Sequence, residues 1–106
     1  MLRHIVLFKF RDSSPPEAVA AVVAAFAGLY GQVPQIAAFE WGLEESPERL
    51  ARGFTHCFQL SYRSWEDLAE YQAHPAHLAF QEVLRPHLEE VMVVDYEVRG
   101  AAALTA

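Results

Sequence analysis

The chain has 106 residues, 53% of them hydrophobic and 12% aromatic, with a formal net charge of −6 at pH 7. That length gives one domain with a modest core, and so much apolar material in so small a domain predicts a subunit interface. The eight Lys and Arg residues are scattered, so there is no basic stripe to displace counterions from a nucleic acid or to hold an anionic membrane.

Leu2 to Phe10 alternates as a strand, with Leu2, His4, Val6, Phe8 and Phe10 on one face and Arg3, Ile5, Leu7 and Lys9 on the other. Both faces are apolar at the middle, which predicts cover on both sides. The run lacks the length and cleavage site of a signal peptide. No stretch of the chain approaches the ~20 apolar residues that span a bilayer. A cytoplasmic protein is the expectation. Ser14, Pro15 and Glu17 read as a helix start, with Ser14 as N-cap and Glu17 completing a capping box. Val19, Val22, Val23, Phe26 and Leu29 then recur at helical spacing, and Gly28 and Gly31 bracket the end. Ile36 to Leu43 reads as a second strand, and the polar stretch 44–53, with Pro47, as a loop.

Phe54 to Arg63 is the third strand, with Phe54, His56, Phe58, Leu60 and Tyr62 on one face. Cys57, the only cysteine, faces opposite to His56 and reads as a small apolar filler. Ser64 caps the next helix, with Asp67 at its third position, and the helix runs to about Ala73. Pro75 disfavours helical geometry at His74, so the helix breaks there. A second helix restarts at Pro75 or Ala76, with Leu78, Ala79, Phe80, Val83 and Leu84 as its apolar side, and Pro86 kinks or ends it. Val91 to Val98 is the last strand, and 100–106 a frayed tail. The order β-α-β-β-α-β predicts an α+β fold of the ferredoxin-like type, an antiparallel sheet with helices on one face. Pairing the bare sheet face with a second copy predicts a homodimer, the two sheets forming a dimeric α/β barrel.

Histidine is the side chain that titrates near neutral pH, and three of the five lie between residues 53 and 77. His77 falls in the first turn of a helix, whose dipole favours the neutral imidazole, a competent general base. Tyr71, on the preceding helix, can donate its hydroxyl to a substrate carbonyl. His4 and His56 share the helix-facing side of the sheet and either line a pocket or fill the core as paired polar groups. His74 caps the restarted helix or joins the pocket. A metal site is disfavoured, because the Pro-broken turn splays His74 from His77 and no supporting carboxylate stands out. Haem is a weaker alternative still. No glycine-rich phosphate loop, nucleophile elbow or H-E-x-x-H motif occurs.

Four pieces taken in order, His4-Ile-Val-Leu-Phe-Lys9, Gly53-Phe-Thr-His56, Tyr71-Gln-Ala-His-Pro-Ala-His77 and Val93-Val-Asp-Tyr96, resemble the stress-responsive α/β-barrel (Dabb) domain family. The resemblance covers nearly the whole chain, with the domain at 1–99. It implies a homodimeric barrel. The family includes a plant polyketide cyclase that uses a Tyr and a His at the positions matching Tyr71 and His77, and His4 and His56 match its sheet histidines. The implied site therefore has Tyr71 and His77 as catalytic residues and His4, His56 and His74 as substrate-binding residues, with no metal and no cofactor. Two functions fit. One is a cofactor-independent enzyme acting by proton transfer on a small carbonyl or polyketide-like substrate. The other is a non-catalytic homodimer that binds a small apolar ligand or supports stress tolerance.

Overall fold

The computed structural model describes residues 1–100, and Leu2–Phe10 forms its first strand, β1. There follow helix α1 (Pro16–Gly28), strands β2 (Ala38–Leu43) and β3 (His56–Tyr62), helices α2 (Trp65–Ala73) and α3 (Pro75–Leu84), and strand β4 (Leu88–Glu97). The sheet is antiparallel with order β2-β3-β1-β4. The expected ferredoxin-like arrangement is present, and β1 lies inside the sheet, paired on both edges. Its alternation sorts residues as period two demands: Leu2, His4, Val6 and Phe8 are buried under the helices, while Arg3, Ile5 and Leu7 on the bare face are half-buried.

The core holds a cluster of aromatic rings among its leucines and valines. Phe26 of α1 packs tilted on Phe58 of β3 and stacks on Phe80 of α3, each at 4.6 Å between centroids. Phe8 joins from β1, 5.1 Å from Phe58. Such ring pairs each contribute ~0.5–1.5 kcal/mol beyond the area they bury, so this cluster ties α1 and α3 to the middle of the sheet.

Several local expectations change. Ser14 does not cap α1: the N-cap is Pro15 and makes no side-chain hydrogen bond. The Ser14 hydroxyl instead pairs with His87 Nδ1 at 2.8 Å, a distant partner outside the reach of local sequence reasoning. Ser64 does cap α2, accepting from Asp67 N–H at 3.1 Å. On α3 the inward residues are His77, Phe80 and Leu84, while Leu78 and Val83 face outward. Spacing i, i+3, i+7 makes the first three one face, and the other two lie off it. Pro86 ends α3 through a 3-10 turn at Arg85–His87, so β4 begins at Leu88, earlier than Val91. Ile36 and Phe54, expected within strands, are buried just before β2 and β3 begin. The tail expected at 100–106 lies, from 101 onward, outside the described residues.

On the face away from the helices, Leu7 sits between Cys57 and Met92, and Ile5 between Gln59 and Val94. Met92, Val94 and Tyr96 on this face are large apolar residues left exposed. Polar groups gather toward β2, where Gln59 Nε2 donates to Glu40 at 2.8 Å.

The turn into β3 depends on Gly53. Its φ is +87°, and a Cβ there would meet Lys9 Cε at 2.7 Å. Lys9 is already held, by Glu90 at 3.2 Å and over the Phe54 ring. Gly53→Ala should therefore cost about 1–2 kcal/mol in urea unfolding, mostly from the left-handed backbone. Gly31→Ala, with nothing within 4 Å, should stay close to wild type. Equal stability of the two variants would contradict the strain argument.

Candidate active site

A groove of about 620 Å³ opens between α3 and the β1–β4 half of the sheet. His4, Tyr71 and His77 line it, and Val6, Phe80 and Val93 continue its apolar wall. Each polar side chain arrives from a different element. His4 comes from the inward face of β1, Tyr71 from the last turn of α2, and His77 from the first turn of α3. The Pro75 break is what lets the two helices present adjacent residues to one space. Tyr71 lies 4.4 Å from His77 and 5.9 Å from His4 between ring centroids.

Each of these imidazoles has its Nδ1 occupied. His77 Nδ1 lies 3.1 Å from the Gln72 carbonyl oxygen, which can only accept. The proton therefore sits on Nδ1, and Nε2 carries the lone pair in the neutral ring. Burial holds the His77 pKa below the ordinary histidine range, with nearby His4 adding to the shift and the Gln72 carbonyl opposing it. A lowered pKa is what the position of His77 in the first helical turn predicts, and desolvation is its leading cause. His4 Nδ1 is hydrogen-bonded to the Asp95 carboxylate, which fixes the ring in the same way.

Burial raises the Tyr71 pKa well above its usual value, so the hydroxyl stays protonated and can donate. Tyr62 lies behind it, 5.3 Å away, fully buried. Its hydroxyl has no hydrogen-bond partner at normal length and lies close enough to Tyr71 and Asp95 for both to push its pKa up, after burial itself.

The structure does not gather all the expected residues. His56 shares the helix-facing side of the sheet with His4 but sits at the other end of it, paired in register with Phe8. It lines a separate cavity of about 390 Å³ with Lys9, Phe10 and Thr55. There it stacks on Trp41 and hydrogen-bonds Thr55 Oγ1 at 2.8 Å. The expectation that His56 converges with His4 fails because one sheet face is long enough to hold two pockets, and Phe8 and Phe58 fill the space between. His74 also lies outside the groove lining. Its Nδ1 accepts from Ala76 N–H at 3.0 Å, so it caps α3. Asp95 was missed as a site residue. The available signal was a carboxylate directly after the apolar run Val91 to Val94, at an inward position in register with His4. Arg11 and Arg85, which also line the groove, gave no local signal at all.

Among the described residues no three His, Cys, Asp or Glu side chains gather to hold a metal ion. No described helix is long and apolar enough to cross a membrane.

Comparison with known proteins agrees with this architecture. The chain is 36% identical over 96 residues to a stress-response A/B barrel domain-containing protein of Arabidopsis thaliana, covering 91% of this chain and 88% of that protein. It is 26% identical over 98 residues to olivetolic acid cyclase of Cannabis sativa, covering 92% and 97% of the two chains. Among solved structures, the hydroxynitrile lyase of Passiflora edulis superposes with a TM-score of 0.87 at 25% identity, covering 92% of this chain and 93% of that one. The model of the stress responsive A/B barrel domain matches residues 2–98, and the chain belongs to that family.

Proposed function

We propose that the protein is a proton-transfer enzyme of the cyclase or lyase type, acting on a small carbonyl-containing, polyketide-like substrate in the groove. The observation that carries this reading is the meeting of Tyr71, His77 and the Asp95-bound His4 on one apolar cavity. Its volume, about 620 Å³, suits a small organic molecule. The relatives named as a cyclase and a lyase support the same class of chemistry.

In this mechanism His77 Nε2 takes a proton from the carbon beside the substrate carbonyl. The C–H electron pair moves into an enolate, and the Tyr71 hydroxyl donates a hydrogen bond to the oxygen where charge develops. The enolate carbon then attacks a second carbonyl of the same molecule, forming a C–C bond, and the His77 imidazolium returns its proton to the new alkoxide. The reverse sequence breaks a C–C bond. His4, oriented by Asp95, walls the site beside Tyr71 and holds that ring edge-on.

The second part of the proposal is a homodimer through the bare sheet face, where Ile5, Leu7, Met92 and Val94 would be buried against a second copy. Sedimentation at micromolar concentration should give a dimer, and the double variant Ile5→Lys/Val94→Lys a folded monomer. A wild-type monomer removes the interface.

Screening aromatic and polyketide-like acids by thermal shift should supply a substrate. On it, His77→Ala should lower turnover ~10²–10⁴-fold with the fold intact. His74→Ala should lose about 1 kcal/mol of stability as a broken cap, with little loss of rate. Because burial lowers the His77 pKa, the basic neutral form persists below the usual histidine value of ~6.5. The acid limb of kcat/KM should accordingly fall at lower pH than that. Full turnover by His77→Ala eliminates the base assignment. Ligand binding without turnover in the wild type favours the non-catalytic reading.

A further inference from the structure

The groove has an electrostatic polarity opposite to that of the molecule. The chain carries 14 acidic residues against eight Lys and Arg, yet among the described residues no acidic one lines the groove and two arginines, Arg11 and Arg85, do. Both arginines lie at the end remote from the catalytic cluster. His4 begins the groove on β1, and Arg11 follows the end of that strand. His77 begins it on α3, and Arg85 follows the end of that helix. The two elements run side by side in the same sense. Their starts are joined through Tyr71, which contacts both histidines. Their ends are joined where Arg11 N–H donates to the His87 carbonyl at 2.8 Å. A helical rise of ~1.5 Å per residue sets His77 and Arg85 about 12 Å apart, with Phe80 and Leu84 between them on the apolar wall.

The arginine end is prepared for an anion. Arg11 Nε donates to the Leu88 carbonyl at 3.2 Å, which fixes the guanidinium plane and leaves its two η nitrogens as donors. Arg85 Nη2 is held by Glu82 at 2.8 Å, with both side chains about 70% exposed (68% and 72%). An ion pair so exposed is weak and yields readily to a competing carboxylate.

We propose that Arg11 and Arg85 bind the terminal carboxylate of a medium-chain oxo-acid, whose apolar chain lies along the groove and whose carbonyl meets Tyr71 and His77. This rests on reading the groove as the substrate site and adds the substrate's charge, polarity and direction. The planar guanidinium fork matches a carboxylate, and the uncharged wall between the two ends accepts methylene groups.

Isothermal titration of the full chain with octanoate, methyl octanoate and octyl phosphate at low salt tests this without turnover. The acid should bind at least ~10-fold more tightly than the ester. Arg11→Gln/Arg85→Gln should abolish that preference while leaving ester affinity unchanged. Both arginines are exposed, so the melting temperature should hold. Glu82→Gln, which releases Arg85, should tighten acid binding ~2–3-fold. His77→Ala should keep the acid preference, which separates this proposal from the proton-transfer assignment. Equal binding of acid and ester by the wild type, preference surviving in the double arginine variant, or no binding of either compound overturns it. Tighter binding of octyl phosphate than of octanoate overturns the carboxylate assignment.

Discussion

Between Leu84 and Leu88 the chain must leave α3, turn at Pro86 and enter the sheet as β4. A proline there cannot continue the helix, and so short a connection leaves nothing to lay over the edge strand. Helical cover therefore stops at β1. Phe8 and Val6 are buried while Val91 and Val93, their register partners on the same face, stay about half exposed. The groove is the space between that uncovered strip and the flank of α3. Its exposed apolar wall and the position of Arg85 follow from where α3 ends, and the register of β4 on β1 places Asp95 beside His4.

The aromatic cluster performs the complementary task of dividing the sheet face. Phe8, Phe26 and Phe58 pack at 4.6–5.6 Å between centroids, and close-packed rings leave little room for a continuous cavity. Two histidines on one face thus live in different surroundings. His4 is held by a carboxylate. His56, stacked on Trp41, answers mainly to burial, which lowers its pKa. A low-dielectric site magnifies each polar contact it contains, so the part-buried Asp95–His4 pairing matters more than an isolated hydrogen bond at the surface would.

Strand β4 serves both sides of the molecule. Val91, Val93 and Asp95 belong to the groove side through their register with Phe8, Val6 and His4. Met92, Val94 and Tyr96 belong to the bare side with Leu7, Ile5 and Arg3. Strict alternation makes this double use cheap, since a period-two strand presents independent side-chain sets to its two faces. The apolar excess in so small a chain is thereby divided between a ligand-sized groove and a broad flat surface.

Much of the fold was legible in the sequence because its signals are local. The alternation of Leu2 to Phe10, the Ser64 cap and the Pro75 break each act within a few residues and needed no knowledge of distant chain. The nearness of Tyr71 and His77 followed from that break, and the family resemblance named both. Other features depended on contacts far along the sequence. Ser14 left its capping role for His87, 73 residues away. His56 parted from His4 because of what filled the space between them. Asp95 became a site residue only through its register with His4, 91 residues distant. Arg11 and Arg85, unremarkable in sequence, met at one end of the groove only after β1 and α3 had been laid side by side. Backbone propensity and hydrophobic period are properties of neighbouring residues, whereas a site is made by side chains from separate elements, and their meeting is decided by packing.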